Sequence, residues 1–104
     1  MSQDNSTLME DLSSETMDEV KEPPMYKVFL LNDDYTTMDF VVHILMSVFY
    51  KSFEDANRIM MNVHKNGSGL CGLYTFEVAE TKVDIVQNIA HDNGFPLKCI
   101  MEQE

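Results

Sequence analysis

Two stretches of the chain carry side chains that could hold a positively charged group: Asn32-Asp33-Asp34 and Met60-x-x-Val63-His64. An ammonium offers three donors and no acceptor, so a carboxylate, an amide oxygen and a neutral imidazole nitrogen are suitable partners for it. Each stretch alone has a plain reading. An Asp-Asp pair after a strand is most often a solvated turn, and a histidine at a helix end is most often a satisfied structural one. Side by side and next to methionines, they would instead set acceptors on the rim of an apolar hole. The chain has nine methionines among 104 residues, and Met38, Met46, Met60 and Met61 lie in helically patterned segments. Methionine usually fills a core, but its flexible thioether also makes a plastic binding surface.

Other chemistries find less support. Gly67-Ser68-Gly69-Leu70-Cys71-Gly72 matches the dinucleotide fingerprint letter for letter. That fingerprint works only where a strand leads in and a helix leads out, which puts the pyrophosphate on the helix N-terminus. Here the pattern predicts the reverse order, so the stretch is expected to be a loop. His43, His64 and His91 do not pair with one another, or with Cys71 and Cys99, at a zinc-ligand spacing, and no metal or cofactor is expected. A Gly-x-Ser-x-Gly elbow is missing, as is a cysteine beside a plausible base, so nucleophilic catalysis has no candidate.

The elements that must position these residues follow from periodicity. Tyr26 to Leu31 has the aromatic and β-branched content of a short buried strand, ended by the turn formers Asn32 to Tyr35. Thr36 with Asp39 resembles a capping box, and Met38, Val41, Val42, Leu45, Met46 and Phe49 recur at helical spacing, predicting a helix over about 37–50. Ser52 and Asp55 repeat the start signal. Ala56, Ile59, Met60 and Val63 form the next apolar stripe, which should end near His64 or Lys65 before Gly67. Leu70 to Val78 alternates loosely as a strand, Ala79 to Asp92 fits a third helix, and Pro96 to Met101 fits a last strand. The expected class is α+β in the order β-α-α-β-α-β: a three-stranded antiparallel sheet with three helices packed on one face. In such a unit the first loop and the close of the second helix can lie side by side.

Composition bounds the rest. One domain fits the length, and 44% hydrophobic residues suffice for a single core. Residues 1–24 carry Asp4, Glu10, Asp11, Glu15, Asp18, Glu19 and Glu22 against Lys21, with no aromatic residue. They are expected to form a flexible acidic extension before a core domain at 25–104. A net charge of -11 leaves no basic patch for nucleic acid or an anionic membrane surface, and favours cationic partners such as free α-amino groups. No apolar run approaches a membrane span, and the N-terminus has no basic n-region and no apolar h-region. A cytoplasmic location is expected, with Cys71 and Cys99 as buried thiols and the sequons at Asn5 and Asn66 as chance matches.

The motifs Asn32-Asp33-Asp34-Tyr35-Thr36-x-Met38-Asp39-Phe40-Val41, Met60-x-x-Val63-His64, Cys71-Gly72 and Glu77-Val78-Ala79-Glu80-Thr81-Lys82, in that order, resemble the ClpS adaptor family. The resemblance implies a non-enzymatic, monomeric adaptor of the N-end rule. It would bind N-degron proteins that begin with Leu, Phe, Tyr or Trp, and deliver them to the N-terminal domain of a ClpA-type AAA+ unfoldase for degradation by ClpP. It also implies residue roles. Asn32, Asp33 or Asp34, and His64 would hold the α-amino group and first peptide bond. Thr36, Met38, Val41, Met60, Val63 and Leu97 would line the side-chain pocket. Glu77, Thr81 and Lys82 would dock on the unfoldase, and the segment at 1–24 would serve handover. Thr37 stands where many relatives carry proline. Two other classes share parts of the pattern: a generic interaction module similar to the C-terminal domain of a ribosomal stalk protein, and a small hydrolase using an aspartate with His64. Neither accounts for the methionine-lined hole.

Overall fold

The computed structural model of the chain describes residues 22–104, so most of the extension expected at 1–24 lies outside the described residues. The elements run β1 (Met25–Leu31), α1 (Met38–Ser47), α2 (Phe53–Asn66), β2 (Ser68–Thr75), α3 (Phe76–Asp92) and β3 (Lys98–Gln103). The strands form one antiparallel sheet in the order β2-β1-β3, as the β-α-α-β-α-β pattern predicts. Val28 and Leu30 of β1, Cys71 of β2 and Cys99 of β3 are buried in the core that the helices complete, whereas Lys27, Phe29 and Leu31 on the opposite face are only partly covered. The helix α3 packs across all three strands, α2 lies on β2, and α1 packs on α2. Ile44, Leu45 and Leu30 are fully buried, each worth about 1.5–3 kcal/mol of transfer free energy. Among the described residues no helix is long and apolar enough to cross a membrane.

Five departures from expectation have local causes. The cap of α1 is Thr37, whose side chain accepts from the Phe40 N–H at 3.1 Å, rather than Thr36. The carboxylate of Asp33 has already taken the Thr36 hydroxyl. The expected apolar stripe of α1 is only partly the buried one: Val41, Leu45 and Phe49 are buried, but Met38 and Met46 are exposed and Phe40 and Ile44 join the core. This helix is apolar around most of its circumference, so periodicity cannot select the inward side. Third, α1 ends at Ser47 rather than near residue 50. Phe49 turns into the core and Tyr50 adopts a left-handed φ of 55°.

The fourth departure concerns β2, which stops at Thr75, so Val78 belongs to α3. Phe76 opens that helix with its ring edge-on to Tyr26 at 5.3 Å, and a first turn rich in β-branched and aromatic residues imitates a strand. The loose alternation in β2 has a separate origin. Val28 pairs with Gly72 and Phe29 with Leu70, so Cys71 is the extra residue of a bulge. At the far end, Phe95 to Leu97 stay outside the ladder and β3 begins at Lys98, since Pro96 has no N–H to donate.

Candidate functional site

The site begins where β1 ends. The Asn32 N–H donates to the Gly67 carbonyl at 2.9 Å, which ties the first loop to the residue that closes α2. Gly67 sits at φ 90°, a left-handed helix stop that glycine reaches without strain, and its own N–H donates to the Val63 carbonyl at 3.0 Å. Two residues later β2 passes so close to α2 that a Cβ at Gly69 would lie 2.7 Å from Val63 Cγ2. Strand, loop and helix end are therefore held together by backbone contacts at the point where His64 occupies the last turn of α2.

Asp33 gives the loop its shape. Its Oδ1 accepts from the backbone N–H groups of Tyr35 at 2.8 Å and Thr36 at 2.7 Å, and its Oδ2 accepts from the Thr36 hydroxyl at 2.7 Å. Burial pushes its pKa up, but the bonds from the Thr36 hydroxyl and from the Thr36 and Tyr35 backbones outweigh this and hold the carboxyl below its ordinary value. Asp34 is different. It is exposed, as are Asn32 and His64, and among the described residues none of these three side chains enters a hydrogen bond.

Between loop and helix lies a cavity of about 240 Å³. Its polar side is formed by Asn32, Asp33, Asp34, Thr36 and His64, and its apolar side by Met38, Val41, Met60 and Val63. Nine of the ten residues expected around such a hole thus meet there. Leu97 is not among these nine and is buried in the core. A second and larger cavity of about 450 Å³ shares Asn32, Asp33 and Asp34 but is otherwise lined by Leu31, Tyr35, Pro96 and Lys98. It has neither the imidazole nor the methionines, so the smaller cavity has the chemistry for an ammonium beside an apolar group. Pro96 and Lys98 were not legible as neighbours of the loop, because only the β1–β3 pairing of Leu31 with Lys98 brings them there.

Glu77, Thr81 and Lys82 line a groove of about 330 Å³ on α3, together with Val78 and Ile85. The ammonium of Lys82 is not free, because its Nζ donates to the Val48 carbonyl at 2.7 Å and lies 4.8 Å from the Tyr50 ring centroid and 5.4 Å from that of Tyr74. That clamp joins α3 to the end of α1, and no sequence pattern announced it, since the partners are 34 residues apart.

The remaining reactive groups are inert. Cys71 and Cys99 are free and buried. Burial pushes the Cys99 thiol up to about 12, and burial together with nearby Cys99 raises Cys71 further. Among the described residues no cluster of three or more His, Cys, Asp or Glu side chains could hold a metal. The glycine-rich stretch is entered by α2 and left by β2, an order that cannot cradle a pyrophosphate on a helix start.

Comparison with known proteins agrees with this arrangement. The family pattern described as ATP-dependent Clp protease adaptor protein ClpS matches residues 21–100. The chain is 54% identical to the ATP-dependent Clp protease adapter protein ClpS of Desulforapulum autotrophicum over 104 residues, covering all of both chains. It is 58% identical to that of Bartonella quintana over 83 residues, covering 80% of this chain and 76% of the other. Among solved structures, Agrobacterium tumefaciens ClpS2 bound to L-phenylalaninamide superposes with a TM-score of 0.78 at 40% identity, covering 80% of this chain and all of that one. With a family pattern over most of its length, full-length relatives above half identity and the matching fold, this chain belongs to the ClpS family of Clp protease adaptors, proteins that act by binding rather than by catalysis.

Proposed function

We propose that the cavity between the first loop and α2 captures the N-terminal residue of proteins that begin with Leu, Phe, Tyr or Trp, and that the adaptor hands them to a ClpA-type AAA+ unfoldase for degradation by ClpP. The observation that carries this reading is the meeting, around one cavity of about 240 Å³, of acceptors on Asn32, Asp34 and His64 that are unpaired among the described residues with the apolar wall of Met38, Val41, Met60 and Val63. The volume lies below the roughly 300–1,000 Å³ of sites that enclose whole ligands, and suits a single large side chain. The ClpS2 relative was solved with L-phenylalaninamide, a molecule with a free α-amino group, an apolar ring and an amide in place of the first peptide bond.

Roles within the cavity follow from which groups are free. Asp33 already accepts three hydrogen bonds from Tyr35 and Thr36 and has about one acceptor site left, so Asp33 chiefly shapes the loop and the ammonium contact falls mainly to Asp34, Asn32 and the imidazole of His64. Thr36, Met38, Val41, Met60 and Val63 receive the side chain. Leu97 acts from behind, by filling the core. The groove at Glu77, Thr81 and Lys82 docks on the N-terminal domain of the unfoldase.

Burying a Phe or Leu side chain contributes about 1.5–3 kcal/mol, which alone gives weak and unselective binding. The ammonium contacts must supply the discrimination. A labelled peptide beginning with Phe is expected to bind at least about 100-fold more tightly than its N-acetylated twin, because acetylation strands the acceptors without a donor. Equal affinities in a fluorescence titration would remove the model.

A further inference from the structure

Tyr50 is the one non-glycine among the described residues with a positive φ, at 55°. In that region the Cβ of an L residue crowds its own backbone, and glycine or asparagine is the usual occupant. The strain is not offset by burial of the ring, since Tyr50 is 81% exposed. Folding alone therefore gives no reason for tyrosine at this position. The ring is nonetheless fixed, because Lys82 holds it with its Nζ 4.8 Å from the centroid while donating to the Val48 carbonyl at 2.7 Å. The same lysine lines the groove on α3, where Val78 and Ile85 are also exposed. One side chain thus touches both the ring of the strained turn and the groove.

We propose that Tyr50 is an aromatic anchor of the surface that docks on the unfoldase, and that Lys82 is a positioning residue that presents it. The proposal rests on the reading of the α3 groove as the docking surface. Its physical basis is that exposed backbone strain persists where it serves a site, and that tyrosine supplies a rigid, amphipathic contact at low entropic cost. The ammonium of Lys82 is directed at a carbonyl and at ring faces within its own chain. Its contribution to docking is the placement of Tyr50, and the partner's contact is with the ring, through an apolar recess with an acceptor for the phenol hydroxyl.

The test titrates the N-terminal domain of a ClpA-type unfoldase against the full chain and four variants, with thermal melting recorded for each. Tyr50→Gly removes the ring while suiting the left-handed backbone. Its melting temperature should stay level or rise, and its docking affinity should fall at least about tenfold. Tyr50→Phe should retain docking to within about threefold. Lys82→Met should weaken docking, and Lys82→Arg, which keeps the donor and the cation over the ring, should restore it. Ile85→Glu reports on the groove itself. Wild-type docking by Tyr50→Gly alongside weakened docking by Ile85→Glu would overturn the role of Tyr50 and leave the groove reading standing. Failure of the wild type to dock would sink the groove reading, and this proposal with it.

Discussion

The first loop and the Lys82 clamp are both polar regions at the surface, yet they dispose of their charges in opposite ways. At the loop, one aspartate is spent on structure so that its neighbour can stay free: Asp33 accepts three hydrogen bonds, while Asp34 accepts none from the described residues. At the clamp, the Lys82 cation is consumed, with Nζ on the Val48 carbonyl and near the rings of Tyr50 and Tyr74. A ligand site needs unpaired groups held in place by paired ones, because an acceptor already satisfied within the chain gains little from a ligand. By that criterion the loop leaves acceptors available to a ligand, whereas the cation of the clamp is engaged within its own chain.

The contrast can be broken at several points. The largest effect is expected from removing the free acceptors: Asn32→Ala combined with His64→Ala should lower affinity for a Phe-initiated peptide by about 100-fold or more while the melting temperature hardly moves. A large fall in melting temperature would mean that these groups serve the fold. Asp33→Ala should do the reverse in part, costing about 1–3 kcal/mol of stability and, through a loosened loop, some affinity as well. Chemical denaturation checks the first effect and peptide titration the second. Lys82→Met should cost about 1–2 kcal/mol, from loss of the charged hydrogen bond and the ring contacts, and Asp34→Asn less than about 0.5 kcal/mol. Equal stability of these two variants would erase the distinction between a committed and a free charge.

Smaller effects are expected from pH. Because the folded carboxyl of Asp33 is held below its ordinary value of 3.8, its contribution is complete above that value and is lost as pH falls through the lower folded one. The Asp33→Ala variant should therefore lose less stability than the wild type below pH 3.8. The thiols act at the other extreme. Cys99 rises from 9.0 to about 12 on burial, so the stability tied to its neutral form is complete below 9.0 and declines as pH climbs toward 12. Alkaline unfolding monitored by circular dichroism should be shifted to higher pH in Cys99→Ala. A shift of the opposite sign would show that the thiol is not buried neutral.

Much of this was legible in the residues. The order of elements followed from periods of two and 3.6, and Ser52 and Gly67 mark the ends of α2 as their types require. Asn32, Asp33, Asp34 and His64 stand out because polar residues at the end of a strand and the close of a helix point to one place in a β-α-α unit. Less legible were residues whose surroundings come from distant elements. Leu97 was singled out by resemblance alone, and its place in the core comes from packing against distant elements. Lys82 looks like a surface charge and is a clamp.

Local pattern, then, determined the class of fold, the caps of α2, and the types of group gathered at the site, because propensity, capping and periodicity act over a few residues of chain. Which of two adjacent aspartates is free, which face of the apolar helix α1 is buried, where that helix stops and what Lys82 touches were decided only in three dimensions. Each of those outcomes depends on a partner brought close by the sheet or by helix packing, such as Gly67 for the Asn32 N–H and Val48 for the Lys82 ammonium. The energy of such a contact does not exist until the chain has closed the loop between its two ends.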